Sequence, residues 1–189
     1  MSQARPLLDG RSKTSAGVML NGCNRPDAII AKAFKHACLA AFIESASRMN
    51  VFFYGLFMDE ALLGRKGVSP TQAEVGYVDG FQLHIGERAT LVRSTGARSY
   101  GVMMTVSPDA VKELYAESSV ADYVPESVSV ELTDGSKAEA ACYNLPADKL
   151  TGTNAAYAEA LCEVAAGLGL PEAYLAEIRR AAVEPAKAR

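Results

Sequence analysis

The apolar positions of this chain change rhythm several times, and each change predicts an element. A continuous apolar run at Val51-Phe52-Phe53-Tyr54 reads as a buried strand over 50–54 that stops at Gly55, and Met58 to Arg65 reads as the start of a helix. Alternation over 73–85, 89–93 and 100–106 predicts three further strands. In the first of them Phe81, Leu83 and Ile85 share one side while Gln82 and His84 share the other, so His84 reads as solvent-facing. Ser107-Pro108-Asp109 combines an N-cap residue with proline at the first helical position, and Val111, Leu114 and Tyr115 continue a helix to about Glu117. Val128, Val130 and Leu132 alternate ahead of the turn pair Asp134-Gly135, and 138–145 supplies the partner strand of a hairpin. Asn154 caps a helix whose Tyr157, Leu161, Val164 and Leu168 share a face; Gly167 and Gly169 end it, and Pro171 opens a last helix with Tyr174 and Ile178. The class is α+β: a small mixed, partly closed β-sheet or barrel with flanking helices.

Residues 1–48 follow a different pattern. Pro6, Gly10, Gly17, Gly22 and Pro26 stand among Ser, Arg and Asn before one helical pattern over 28–46. Lys32, Lys35, His36 and Glu44 interrupt that pattern, which makes it an amphipathic helix and not a membrane span. The expected division is an N-terminal extension over 1–48, a folded domain over 49–180 and a frayed Ala-rich tail over 181–189. Met49 directly precedes the first strong strand, so an alternative start there is also expected. A transit peptide ranks lower, because Asp9, Asp27 and Glu44 are acidic.

Composition narrows the partners. The 189 residues, 49% hydrophobic and 22% charged, suffice for one good core. A net charge of -3 with singly scattered Lys and Arg gives no basic footprint, so neither nucleic acid nor membrane is expected as a partner. Cys23, Cys38, Cys142 and Cys162 form no CxxC pair, and His36 and His84 are remote from them, so no metal is expected. With no export signal visible the expected compartment is cytoplasmic, and Cys142 and Cys162 are read as buried free thiols.

The candidate chemistry lies where the first strand breaks. A strand that runs into Tyr54-Gly55-Leu56-Phe57-Met58 and then a helix exposes backbone N–H groups, and such groups favour an oxyanion or a carboxylate. Gly55 is expected to take a conformation that other residues avoid. This loop, together with Arg88-Ala89-Thr90-Leu91-Val92, Gly96, Tyr100-Gly101-Val102-Met103, Ser107-Pro108, Cys142-Tyr143-Asn144 and Gly169-Leu170-Pro171-Glu172-Ala173-Tyr174, resembles the gamma-glutamylcyclotransferase-like superfamily over about residues 50–180.

The resemblance implies an intramolecular reaction. The α-amine of a small γ-glutamyl compound attacks its own γ-carbonyl and releases 5-oxoproline and an amine, as in a lyase or amine-releasing transferase. A carboxylate relays the proton, and proximity is built into the substrate, so no cofactor is needed. By resemblance Glu117 is the general acid/base, Tyr54, Gly55, Leu56, Phe57 and Met58 form the backbone cradle, and Tyr143 lines the γ-glutamyl pocket. The chain departs from the pattern in two places. Leu56-Phe57 replaces a Ser-Asn pair, and the "D-x-x-E-G" segment reads Tyr115-Ala116-Glu117-Ser118-Ser119, so either Glu117 is displaced by one position or Ser118 holds the catalytic place. A serine there would remove the general base, with Asp122 and Glu126 as fallback carboxylates. Two alternatives therefore stand beside the enzyme: a silent module binding a carboxylate-bearing metabolite, and an amidohydrolase-like or amine-transferring relative on the same scaffold.

Overall fold

A computed structural model describes residues 48–182. The helix expected over 28–46, Cys23, Cys38, His36 and the tail from residue 183 lie outside the described residues.

Five strands form a closed barrel: β1 (Met49–Phe53), β2 (Gln72–Ile85), β3 (Ala89–Val106), β4 (Val124–Leu132) and β5 (Lys137–Asn144), in the order β1-β3-β2-β4-β5. All neighbours are antiparallel except at the closing seam, where β1 meets β5 in parallel with Val51 opposite Ala141. Four helices flank the barrel: α1 (Glu60–Arg65), α2 (Pro108–Leu114), α3 (Ala155–Gly167) and α4 (Glu172–Ala181). Single 3-10 turns occupy Leu56–Met58 and Ala147–Lys149.

The alternation that predicted strands also fixes what the barrel buries. Val51, Phe53, Met104, Val106, Val128 and Val130 of the strands are buried, as are Leu161, Ala165, Leu175 and Ile178 of α3 and α4, in one core. Truncating a fully buried leucine such as Leu161 to alanine removes about 2–5 kcal/mol. Asn154 caps α3 as expected, its side-chain oxygen accepting from the Tyr157 N–H at 2.9 Å.

Three boundaries differ from the sequence pattern. The strands read over 89–93 and 100–106 are one continuous β3. Gly96 on β3, at φ +80, and Gly80 on β2, at φ +81, accompany a register shift between Asp79 and Phe81, so the ladder continues through a polar stretch. The segment 58–65 divides into a 3-10 turn and then α1, because the Asp59 side chain caps a fresh helix by accepting from the Ala61 N–H at 2.8 Å. Finally, α2 closes at Leu114, which leaves Glu117 in the turns beyond it.

His84 is half-buried, and that burial lowers its pKa from the ordinary histidine value. Cys142 and Cys162 are free and buried, as expected. Among the described residues no helix is long and apolar enough to cross a membrane.

Candidate functional site

The apolar run of β1 carries Tyr54 to the barrel end beside β5. There its hydroxyl donates to the Tyr143 carbonyl at 2.7 Å, across the seam that joins the two strands. Gly55 follows at φ -106 and ψ -156, an extended conformation open to any residue. The expectation of special torsion at Gly55 is therefore corrected: a glycine is required for space. A Cβ at this position would lie 2.7 Å from the Tyr157 hydroxyl, which accepts a hydrogen bond from the Leu56 N–H at 3.4 Å. The chain then tightens into the 3-10 turn, with the Met58 N–H donating to the Gly55 carbonyl at 3.0 Å.

Aromatic rings assemble around this turn. Phe57 meets Tyr115 edge-on, at 6.3 Å between centroids and 87° between planes. Tyr115 stacks on Tyr143 at 3.9 Å and 10°, and Tyr123 lies 6.0 Å from Tyr115 and donates to the Ala89 carbonyl at 2.6 Å. Burial raises the phenolic pKa of Tyr54, Tyr115, Tyr123, Tyr143 and Tyr157. For Tyr54 and Tyr115 the neighbouring Cys142 and other tyrosines add to the rise. These hydroxyls are thus neutral at ordinary pH and suited to donating hydrogen bonds, not to taking protons. Burial, helped by Glu126, also pushes the Cys142 thiol far above the thiolate range, so it is no nucleophile.

The candidate carboxylates are all engaged. Glu117 holds the Lys66 ammonium with both oxygens, at 2.8 and 2.7 Å, and both side chains are partly exposed. Asp122 pairs with Lys149. Glu126 pairs with Arg93 and accepts from the Asn144 amide at 3.1 Å. Ser118 is exposed, whereas Ser119 borders a cavity of about 140 Å³ whose other walls include Glu87, Arg88, Asp122, Tyr123 and Lys149.

Tyr54 and Tyr143 are therefore brought together, and Phe57 joins them through Tyr115. Glu117 lies two residues beyond Tyr115 and does not line the cavity. Sequence reasoning missed Tyr115, Tyr123 and Tyr157, since a tyrosine on a helix face or after a turn carries no mark of which neighbours it will meet. Arg88 was visible only as one letter of a motif.

A ring cluster and a cavity thus meet at one end of the closed barrel. The chain resembles known proteins in sequence family and in fold. The AIG2-like family matches residues 98–178. A gamma-glutamyl cyclotransferase shares the fold with a TM-score of 0.58 at 20% identity, over 75% of this chain and 91% of that one. An uncharacterized protein of Homo sapiens does so with a TM-score of 0.56 at 21% identity, over 76% and 92%. YkqA of Bacillus subtilis does so with a TM-score of 0.61 at 19% identity, over 82% of this chain and 60% of its own. No curated protein matches the chain by sequence.

The chain thus has the fold of a gamma-glutamyl cyclotransferase, and the AIG2-like match over residues 98–178 is in keeping with the family its motifs resemble. Identities near 20% speak for the fold alone.

Proposed function

We propose that the protein acts on a small γ-glutamyl compound and releases 5-oxoproline, with Glu117 as the general acid/base. One observation carries this reading: Glu117 grips a primary ammonium, that of Lys66, with both carboxylate oxygens. A carboxylate that holds one ammonium so can hold another in exchange, and the α-ammonium of a γ-glutamyl group is of the same kind.

The chemistry then needs little more. Glu117 takes a proton from the substrate ammonium, and the freed amine attacks the γ-carbonyl carbon. The C–N bond of the five-membered ring forms, and the carbonyl oxygen becomes an oxyanion facing the turn Tyr54 to Met58. Collapse of that intermediate breaks the bond to the leaving amine, which recovers the proton from Glu117; the ring nitrogen's remaining extra proton then passes by way of Glu117 to the departed amine, which leaves as an ammonium. The neutral rings of Tyr115 and Tyr143 form an apolar wall beside the reacting chain.

A second reading, a module that binds such a compound without turning it over, has its own observation in support. The residue of this segment that borders the cavity is Ser119, whose hydroxyl cannot relieve an ammonium of its proton at neutral pH.

The test is 5-oxoproline release from a panel of γ-glutamyl amines, γ-glutamyl amino acids and glutathione, run with the parent and with Glu117→Gln. Release by the parent that falls about 10²- to 10⁴-fold in the variant is expected. Equal release by the two would remove Glu117 from the chemistry, and binding by the parent without release would establish the silent module.

A further inference from the structure

Four charged side chains border the 140 Å³ cavity: Glu87, Arg88, Asp122 and Lys149. Lys149 and Asp122 answer each other as an ion pair. Glu87 and Arg88 have no ion-pair partner among the described residues. Arg88 is half-buried in the short turn between β2 and β3, where its carbonyl accepts from the Gly86 N–H at 3.0 Å, so its backbone is fixed while its charge is unmatched. A guanidinium held at a concave wall with no acceptor of its own is a receptor for a planar anion, because its fork of N–H donors matches the two oxygens of a carboxylate.

Its position relates the cavity to the turn described above. The neighbouring Ala89 has its Cβ 3.8 Å from where a Cβ on Gly55 would stand, and its carbonyl accepts from Tyr123. The positive charge of Arg88 reaches the Tyr123 and Tyr157 phenols and opposes the effect of burial on both. Arg88 thus stands at the flank of the turn, between it and the cavity.

We propose that Arg88 is a specificity-determining residue that binds the α-carboxylate of an amino-acid zwitterion in this cavity. The proposal rests on the function proposed above and deepens it by naming the group that would hold the substrate's α-carboxylate. The wall carries two cationic and two anionic groups. A carboxylate accompanied by its own ammonium enters this balanced wall without net charge, whereas a phosphate dianion meets Glu87 and Asp122. The volume, about four or five waters' worth of liquid, suits an amino-acid head and a short side chain.

The test is calorimetric titration of the parent, Arg88→Gln and Arg88→Lys with three probes: L-glutamine, its α-amide, and inorganic phosphate. The parent is expected to prefer L-glutamine to the amide, and Arg88→Gln to weaken L-glutamine about ten- to hundredfold while leaving the amide unchanged. Arg88→Lys, which keeps the charge and loses the fork, should fall between. The thermal melts of the three proteins should nearly coincide, because the Arg88 side chain has no ion-pair partner among the described residues. The proposal is overturned if the parent binds acid and amide equally or binds neither at millimolar concentration. It is also overturned if Arg88→Gln binds L-glutamine as the parent does, or if phosphate binds more tightly than L-glutamine in an Arg88-dependent way. Failure of the cyclisation reading looks different: the preference for acid over amide persists while no 5-oxoproline forms.

Discussion

The eight tyrosines of this chain divide into two groups, and the groups are built on opposite principles. Tyr77, Tyr100 and Tyr174 form a ladder on the barrel wall with centroid separations of 5.6 and 5.1 Å. Charge clads this ladder. The Arg98 guanidinium lies 3.7 Å over the Tyr77 ring and pairs with Asp79, while the Tyr77 hydroxyl donates to Glu131, which also pairs with Lys137. The Tyr174 hydroxyl donates to the Tyr100 carbonyl at 3.1 Å, and so fastens α4 to β3. Tyr54, Tyr115, Tyr123, Tyr143 and Tyr157 form the other group, at the barrel end. There Tyr54 and Tyr123 donate to backbone carbonyls, but the hydroxyls of Tyr115 and Tyr143 have no hydrogen-bond partner among the described residues. In the first group Tyr77 and Tyr174 commit their hydroxyls to the fold, whereas in the second Tyr115 and Tyr143 stack ring on ring next to Tyr123, which lines the cavity. The same residue type therefore anchors the fold in one place and, on the proposed function, would serve recognition in the other.

Mutation of each group tests that division. The largest effect is expected from Tyr174→Ala: loss of a fully buried aromatic side chain removes about 3–5 kcal/mol in chemical denaturation, while the folded fraction binds ligand as before. Tyr115→Ala is the counterpart, with a smaller loss of stability and loss of ligand binding. Retention of binding in Tyr115→Ala would break the comparison. Tyr54→Phe should remove about 1–3 kcal/mol, since the Tyr143 carbonyl loses its donor, and should weaken ligand as well because Tyr143 is no longer held.

Lys66→Met should change stability by less than about 1 kcal/mol, because the Lys66–Glu117 pair is partly exposed, and should keep or increase 5-oxoproline release by freeing Glu117. Loss of release in that variant would show that Lys66 itself serves the reaction.

The smallest effect concerns pH. Burial disfavours the charged form of His84, so between its lowered folded pKa and about 6.5 the unfolded chain binds more protons than the folded one. Stability should decline as pH drops through that window and level off below it. Urea midpoints measured across the window should decline less in His84→Gln.

Much of the fold was legible because alternation and caps are local. Val128, Val130 and Leu132 announce β4, and Asn154 announces α3. The continuity of β3 was not legible, since Arg93 to Ser99 reads as polar loop and only the paired irregularity at Gly80 and Gly96 reveals that the ladder passes through it. At the site, the break after Tyr54 was readable from one apolar run meeting glycine. The reason for the glycine was not, because the Tyr157 hydroxyl that fills its space comes from a helix far along the chain. Arg88 shows the same limit: its residue type is visible in the sequence, and its unmatched charge is visible only once Lys149 and Asp122 are seen to satisfy each other.

The seam between β1 and β5 ties the site to the completeness of the fold. Val51 and Ala141 meet across it, and the Tyr54 to Tyr143 bond staples its end, so the meeting of Tyr54 with Tyr143 exists only when chain segments from opposite ends of the domain have joined. A ligand that binds only the closed barrel would add its binding free energy to the closure of the sheet.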